Sequence, residues 1–361
     1  MSDFKTRKID AERRRARGAV SNHASRFEPV REEVQDGWEI PETRESFHTE
    51  VSEERPRSVI SRNQSPDIPF DRSLNPYRGC EHGCVYCFAR PTHAYLGLSP
   101  GLDFETKLVA RPKAAEVLEA ELRRKNYSVD TLAIGTNTDP YQPVEQRYRV
   151  MRSVLEVLQR FRHPVAIVTK GTLIERDIDI LSDMAQRGLA QVGVSLTTLD
   201  AKLSRLMEPR CPAPLRRVEM IRKLSAAGIP VRVMLAPVVP GLSDHEVEAL
   251  LHAGAEAGAQ AATWIMLRLP REVAPLFEEW LQEAYPGRAA KVMARVREMH
   301  GGETYEAAWG KRMRGEGLYA EMIGQRFEKA RVRVGLSKTL PELRKDLFEV
   351  PLARDGQLAL F

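Results

Sequence analysis

Cysteine is scarce in this chain: there are four in 361 residues, too few for a disulfide framework. There is no run of about 18 apolar residues, so no membrane-spanning helix is expected. The N-terminal stretch also lacks the apolar core of a secretory signal. We therefore expect a cytoplasmic protein without a membrane partner. In that reducing compartment, clustered cysteines indicate metal binding or catalysis.

A strong charge of either sign is also missing. The 55 Lys and Arg residues nearly balance the 50 Asp and Glu residues, which leaves a net charge of +5 and an isoelectric point near 9.0. This balance permits a polyanionic partner such as nucleic acid without requiring one. A solvated surface of mixed charge is the alternative interpretation.

The first 68 residues lack sustained hydrophobic periodicity. A basic run at Arg13–Arg17 is followed by a glutamate-rich stretch at Glu32–Glu54. Low hydrophobicity and opposed charge blocks predict that 1–68 is a mostly disordered segment. Its basic run could contact nucleic acid or simply be solvated.

From residue 69 onwards, short β-rich runs alternate with longer amphipathic runs, which predicts a parallel sheet in an α/β domain over 69–270. The chain has no GxGxxG after the first strand and no P-loop, which disfavours a nucleotide-binding Rossmann fold. A doubly wound sheet and a full or partial barrel both remain possible. The predicted strands are 72–77, 131–135, 165–169, 191–196, 231–236 and 263–267.

Helices are predicted between the strands, at 113–125, 146–160, 176–188, 214–228 and 243–258. Gly188, Gly228 and Gly258 are placed as helix-terminating glycines. Ser243 and Glu246 are spaced like a capping box. After the sheet we expect a helical C-terminal extension over 271–337, with a helix at 271–299, and a loose tail over 338–361.

Three of the four cysteines, Cys80, Cys84 and Cys87, lie within eight residues in the spacing Cys-x3-Cys-x2-Cys. Three thiolates from one loop fit a [4Fe–4S] cluster that keeps one iron open for a substrate or cofactor. Two alternatives remain. His82 or His93 could complete a Cys3His zinc site, or the thiols could be unbound.

The motif CEHGCVYC, with an aromatic residue before its third cysteine, resembles the signature of radical S-adenosylmethionine (radical SAM) enzymes. Several further motifs resemble the branch that includes spore photoproduct lyase and DNA repair photolyase-like proteins. These motifs are NPYRGC, GTNTDPYQPVE, TKG, SLTTLD, MEPR and LAPVVPGLSD, and the resemblance covers roughly residues 65–300. It implies a partial (β/α)6 TIM-like barrel with a [4Fe–4S] cluster and S-adenosylmethionine at the C-terminal ends of the strands. It also implies an electron donor such as flavodoxin or ferredoxin.

The resemblance implies that further residues contact the cofactor. Tyr86 would lie beside the adenine, the turn with Thr136 and Asp139 near the methionine amino group, and Lys170 near the carboxylate. The better-known relatives have Gly-Gly-Glu at that turn, and this chain does not. The residues expected to contact S-adenosylmethionine are Tyr86, Thr136, Asp139, Lys170, Ser195, Thr197, Glu208 and Arg210.

Each of these residues also has a structural interpretation. Tyr86 could pack the loop, Asp139 could be a turn aspartate, Lys170 could be solvated, and Ser195 or Thr197 could cap a helix. Glu208 and Arg210 could pair with each other.

Outside this set, His93 and Tyr95 are expected to line the cavity or the cluster loop. Photoproduct lyases carry a hydrogen-donating cysteine near the end of the second strand, where this chain has GTNTDP. Cys211 does not match that position and is interpreted as a buried small residue at a helix start.

The leading hypothesis is a radical SAM enzyme of lyase-like or transferase-like type. It would remove hydrogen from an unidentified substrate, with nucleic acid as the first candidate. One alternative is radical modification of a peptide or small molecule. An alternative of another class is a zinc-stabilised binding module without catalysis.

Overall fold

The computed structural model describes residues 6–9, 17–23, 26–27 and 48–352. Within these ranges the strands are β1 (Thr6–Lys8), β2 (Ser21–His23), β3 (Glu50–Glu53), β4 (Ser61–Arg62), β5 (Arg72–Leu74), β6 (Tyr77–Arg78), β7 (Lys107–Ala110), β8 (Leu132–Ile134), β9 (Val165–Thr169), β10 (Ala190–Ser195), β11 (Val231–Val238) and β12 (Ala261–Met266). The helices are α1 (Asp103–Thr106), α2 (Ala114–Leu122), α3 (Glu145–Tyr148), α4 (Val150–Arg160), α5 (Ile178–Gln186), α6 (Ala201–Met207), α7 (Pro214–Ala226), α8 (Val247–Glu256), α9 (Val273–Ala284), α10 (Pro286–Met299) and α11 (Gly317–Arg333).

The main sheet has the strand order β12-β11-β10-β9-β8-β5-β4. Its first six strands in that order are parallel, and only the short β4 pairs antiparallel, with β5 at one edge. The predicted alternation of strands and helices is therefore confirmed. All C-terminal ends of the parallel strands lie at the same edge of the sheet, where loops carry functional residues in such folds.

The buried residues of the central strands are mostly β-branched or aliphatic, as is usual where a sheet is covered on both faces. Val192 and Val194 of β10 and Val231 and Val233 of β11 are fully buried in the largest hydrophobic cluster. Helix α4 contributes Leu155 among its buried residues. This packing holds the strands in register and so fixes where their C-terminal loops meet.

The predicted helix-terminating glycines are confirmed, with positive φ angles of 71° at Gly188, 77° at Gly228 and 94° at Gly258. The predicted capping box is wrong. The Ser243 hydroxyl accepts from the Val239 amide at 3.0 Å, and the Glu246 carboxylate accepts from the Leu199 amide at 3.1 Å. The Ser243 bond is local, four residues along the chain, whereas the Glu246 bond joins two loops that are 47 positions apart.

The C-terminal region is helical, as predicted. The helix predicted over 271–299 is divided into α9 and α10, because Tyr285–Pro286 cannot continue α9 and Pro286 begins α10. Helix α11 lies inside the predicted helical extension, beyond the one helix that the sequence analysis delimited there. The segment before it, 301–316, joins the two edges of the main sheet. The Met266 amide of β12 donates to the Met313 carbonyl at 2.9 Å, and Arg312 contacts Asp67 beyond β4 at 2.5 Å.

The tail beyond residue 337 is not loose over 338–352. Phe348 packs against Tyr127, Phe161 and His163, and the Arg123 guanidinium donates to the Pro351 carbonyl at 2.8 Å. The sequence did not indicate this order, because the contacts are made by isolated side chains and leave no amphipathic pattern along the segment.

The prediction of a mostly disordered segment over 1–68 falls largely outside the described residues, as does most of its basic run. Residues 17–21 are described and buried, and 48–62 include β3 and β4. Strand β3 pairs with β7, and β7 with β6, in a second small sheet beside the cysteine loop. Among the described residues, no helix is long and apolar enough to cross a membrane.

Candidate active site

The cysteine loop follows β6 and turns sharply back on itself. Gly79 and Gly83 have φ angles of 74° and 65°, a conformation that side-chain-bearing residues rarely adopt. The Cys80 amide donates to the Phe104 carbonyl at 2.8 Å, which fixes the start of the loop. Cys80 and Cys84 are buried, and Cys87 is partly exposed.

A buried arginine and a buried glutamate frame this loop from behind. The Arg90 guanidinium donates to the Cys84 carbonyl at 3.0 Å and to Glu105 at 2.6 Å, and both side chains are fully buried. The Glu105 carboxylate also accepts from the amides of Gly18 and Ala19, each at 2.8 Å. The N-terminal segment 17–20 thus closes over the loop as a strap.

The thiols differ in their ease of ionisation. A hydrogen bond from Cys211 lowers the pKa of Cys84 to about 7, against the effect of burial and with the help of the Lys170 charge. Burial, together with the charge of Cys84, raises the pKa of Cys87 to about 12. Cys84 is therefore better prepared than Cys87 to ionise near neutral pH.

Lys170 lies at the end of β9, where the sequence predicts it. Burial disfavours its ammonium form, but the negative charges of Cys84 and Glu208 outweigh burial and raise the pKa of Lys170. Its amine lies 5.8 Å from the centre of the Tyr86 ring. A lysine held charged beside thiolates can offset the negative charge of a thiolate-bound cluster or pair with a carboxylate.

Glu208 is the centre of a buried network rather than a partner of Arg210. Its carboxylate accepts from Arg217 at 2.5 Å, from Thr197 at 2.9 Å and from the Tyr86 hydroxyl. Burial alone would raise the pKa of Glu208, but Arg217 and Lys170 lower it below the ordinary value. Arg210 instead pairs with Glu81, at 3.1 Å.

Asp139 has its oxygens occupied by protein groups. They accept from the Thr169 hydroxyl at 2.6 Å, the Lys170 amide at 2.7 Å and the Tyr141 amide at 2.9 Å. His82 lies 3.4 Å away, and its positive charge holds the pKa of Asp139 at about 2 in spite of burial. Asp139 thus joins the ends of β8 and β9 to the cysteine loop.

Two other strand-end residues are placed at the same edge. The Thr136 hydroxyl accepts from the Asn75 amide group at 3.2 Å, and Ser195 is the last residue of β10. The Ser195 carbonyl accepts from Arg217 at 3.1 Å. The loop cysteines, Tyr86 and the predicted residues from the ends of β8, β9 and β10 are therefore all brought to this one edge of the sheet.

Cys211 does not fit its predicted place at a helix start, since α7 begins three residues later, at Pro214. It is partly exposed, and its sulfur lies 3.8 Å from that of Cys84. Nothing in its local sequence indicates this proximity, because the two residues are 127 positions apart.

Both histidines considered for a zinc site have other contacts. His82 pairs with Asp139, and His93 packs edge-on against Phe104, with ring centres 5.6 Å apart. Tyr95 is 67% exposed and does not line the loop. No group of three His, Cys, Asp or Glu side chains within the described ranges is arranged to hold a single metal ion.

The donor set fits an iron–sulfur cluster on the observations above. It has three soft thiol groups on one turn, two of them buried, and a charged lysine beside them. Sequence reasoning missed the supporting residues Glu105, Arg217 and Glu81. Two local signals were available: Glu81 lies inside the motif CEHGCVYC, and Arg90, which binds Glu105, follows Cys87 by three residues.

Comparison with known proteins identifies the family. The model of the radical SAM superfamily matches residues 74–253, which include all three loop cysteines. The chain belongs to the radical SAM superfamily. It is 42% identical over 235 residues to an uncharacterized protein of Mycobacterium tuberculosis, covering 64% of this chain and 68% of that protein. It is 24% identical over 174 residues to an uncharacterized protein of Methanocaldococcus jannaschii, covering 48% of this chain and 62% of that protein.

Among solved structures, this radical SAM chain resembles spore photoproduct lyase in fold. The TM-score is 0.56 at 15% identity, covering 79% of this chain and 80% of the lyase. The likeness confirms the predicted partial TIM-like barrel with a helical C-terminal extension. Membership of the superfamily implies cleavage of S-adenosylmethionine through radical chemistry.

Proposed function

We propose that this radical SAM enzyme binds a [4Fe–4S] cluster through Cys80, Cys84 and Cys87 and removes hydrogen from a nucleic-acid substrate. The observation that carries the proposal is the convergence of the three-cysteine loop with Lys170 and the buried Glu208 network at the C-terminal edge of the sheet. When bound, the cluster supplies one electron that cleaves S-adenosylmethionine to methionine and a 5′-deoxyadenosyl radical. The electron donor that we propose is a flavodoxin or ferredoxin.

The residues at this edge divide into two roles. Lys170, Thr136, Ser195 and the Tyr86 ring are proposed to contact S-adenosylmethionine, with the lysine ammonium pairing with the cofactor carboxylate. Asp139, Thr197, Glu208 and Arg210 are proposed to position those groups, because their polar atoms already bond to the protein. The Thr136 hydroxyl differs, since it accepts from Asn75 and keeps its hydrogen to donate. Burial of this network keeps water away from the reacting carbon.

A nucleic-acid substrate is supported by the net charge of +5 and by the fold. One structure of the similar spore photoproduct lyase is a complex with a dinucleoside spore photoproduct, at a TM-score of 0.54 and 14% identity. The turn Gly135–Asp139 contains no cysteine, unlike the position implied for the hydrogen donor of photoproduct lyases. We therefore do not propose repair of that lesion.

The test is anaerobic reconstitution with iron and sulfide, followed by reduction. We expect an EPR signal of a reduced [4Fe–4S] cluster that changes on addition of S-adenosylmethionine, together with formation of 5′-deoxyadenosine. Cys84→Ala should lose both the signal and the product, because one ligand is removed.

Cys211→Ala is the matched control. It removes a thiol 3.8 Å from Cys84 that is not proposed as a ligand, so iron content and 5′-deoxyadenosine should persist. One tightly bound zinc ion without iron in the wild-type protein would contradict the proposal and favour a zinc-stabilised binding module. Product formation with peptides but not nucleic acids would reassign the substrate.

A further inference from the structure

Arg268 lies two residues beyond the end of β12, next to the cysteine loop. Its guanidinium carbon is 4.3 Å from the centre of the Phe88 ring. Phe88 directly follows Cys87 and is 44% exposed although it is a large apolar side chain. A flat ring and a cation thus stand together where a substrate would approach the loop.

Arg268 has no carboxylate in ion-pair contact within the part of the chain that the structure describes. Its side chain is partly buried and donates a hydrogen bond to the Tyr305 hydroxyl. A partly desolvated cation without a counter-ion is unfavourable, and an incoming anion would relieve that cost. A guanidinium is suited to phosphate, which it can bind through two parallel hydrogen bonds.

A second aromatic ring with an arginine beside it lies near Arg268. Trp309 is 56% exposed, and the guanidinium carbon of Arg312 is 4.1 Å from its ring centre. Asp67 holds this part of the chain in place, because it accepts from the Gly310 amide at 2.7 Å and from Arg312 at 2.5 Å. Arg312 is also near enough to Arg268 to lower its pKa. We use the name mouth rim for the residues around the approach to the cysteine loop, which are Phe88, Arg268, Tyr305, Trp309 and Arg312.

We propose that the mouth rim binds a single-stranded stretch of nucleic acid, with bases stacking on Phe88 and Trp309 and a phosphate pairing with Arg268. The inference rests on the proposed function and names its substrate class more closely. Rings that stack on bases, with cations beside them that follow the backbone, are the general means of binding single strands. A base must also leave the duplex stack before a buried centre can reach it.

The experiment measures binding of a fluorescein-labelled oligothymidylate of about 12 nucleotides to the anaerobically reconstituted full chain by fluorescence anisotropy. The dissociation constant is determined between about 50 and 200 mM NaCl, a range in which phosphate contacts are strongly salt-dependent. Labelled duplex DNA and an unlabelled poly-glutamate competitor are measured in parallel. Iron content and S-adenosylmethionine affinity are recorded for each variant.

Arg268→Gln should raise the dissociation constant about ten-fold and reduce the salt slope by about 0.7, since one phosphate contact is lost. Arg268→Lys should restore the salt slope. Phe88→Ala should also raise the dissociation constant about ten-fold, and Phe88→Tyr should not, because stacking needs only the ring.

Arg232→Gln is the matched control. Arg232 is likewise partly buried, with its pKa lowered by burial, but it lies at the N-terminal end of β11, the opposite end of the sheet. The same loss of charge there should leave oligonucleotide binding unchanged.

Three results would overturn the inference. The first is equal affinity of wild type and Arg268→Gln for the oligothymidylate, and the second is displacement of the labelled oligothymidylate by poly-glutamate as effectively as by unlabelled oligothymidylate. The third is weaker S-adenosylmethionine binding in Arg268→Gln with unchanged oligonucleotide binding. The third result would indicate that the Arg268 guanidinium binds the carboxylate of S-adenosylmethionine and not a phosphate. If Arg268→Gln fails to retain iron, the two Phe88 variants decide the question. Formation of 5′-deoxyadenosine is measured separately without an oligonucleotide and tests the proposed function. The proposed function and the proposed binding of single strands can therefore fail independently of each other.

Discussion

At the scale of single residues, the Glu208–Arg217 pair is the most demanding contact in the site. Both side chains are fully buried, with 2.5 Å between them. The Arg217 guanidinium also donates to the Ser204 hydroxyl and to the Pro212 and Ser195 carbonyls at 2.9, 3.0 and 3.1 Å. Such a pair is stable only while every charge and hydrogen bond is matched.

Glu208→Gln should therefore lower the free energy of unfolding of the metal-free protein by about 3–5 kcal/mol, because Arg217 would remain as an uncompensated buried charge. Urea denaturation measures the change. The double variant Glu208→Gln/Arg217→Met should recover most of it. Glu298→Gln, which breaks the exposed Arg295–Glu298 pair, is the control and should cost less than about 1 kcal/mol. Equal effects of Glu208→Gln and Glu298→Gln would refute this interpretation.

At the scale of elements, the strap at residues 17–20 depends on close backbone contact with the cysteine loop. A Cβ atom on Gly18 would lie 1.9 Å from the Gly83 carbonyl oxygen, a separation that no side chain can occupy. The strap also holds Glu81 indirectly, since Arg17 donates to Thr49 at 3.0 Å and Thr49 donates to Glu81 at 2.7 Å. The loop and the strap should therefore be ordered together.

Gly18→Ala should displace the strap and speed the loss of iron from the reconstituted protein to a chelator, by about ten-fold if the contact is worth about 1.4 kcal/mol. The absorbance of the cluster follows the loss. Gly287→Ala is the control: its Cβ would meet nothing within 4 Å, and alanine is the better helix former at the start of α10. An unchanged rate in Gly18→Ala would show that the strap does not protect the loop.

At the scale of the whole molecule, the described C-terminal segment 338–352 meets the barrel through contacts that join distant parts of the chain. Phe348 lies edge-on to His163, with ring centres 5.6 Å apart, just before β9 begins. The His163 Nδ1 donates to the Pro164 carbonyl at 3.0 Å, so its Nε2 must accept from the Tyr127 hydroxyl at 2.6 Å. A proton on Nε2 would reverse that second bond, with the Tyr127 hydroxyl accepting, and would place a positive charge in a fully buried site.

His163 should therefore make the fold acid-sensitive. Burial lowers its pKa to about 4, so the folded protein favours the neutral ring. The contribution of His163 to the free energy of unfolding is fully present above about pH 6.5. It declines as the pH falls towards 4, by up to about 3 kcal/mol. Urea denaturation at several pH values in this range measures the slope, which is the change in the free energy of unfolding with pH.

His163→Gln should reduce the slope, and the same change at the exposed His252 should not. A second buried histidine, His93, also has its pKa lowered to about 4 by burial, so part of the slope should remain. An identical slope in His163→Gln and wild type would contradict the assignment.

The sequence alone located the six parallel strands to within a few residues, because their hydrophobic runs and the following glycines are local patterns. It also located the cysteine loop, since three ligands within eight residues need no distant information. It also predicted that Lys170 lies at the end of a strand, where β9 ends in the structure. These features depend on spacing along the chain, which the sequence carries directly.

Only the tertiary structure decided which groups hold the site together. Glu105 meets the strap across 87 positions and Cys211 meets Cys84 across 127, without a local pattern at either end. It also paired Glu208 with Arg217 rather than Arg210 and occupied the oxygens of Asp139 with protein donors. Such pairings follow from how buried charges find partners when helices and loops close over the sheet, and that geometry exists only in the folded chain.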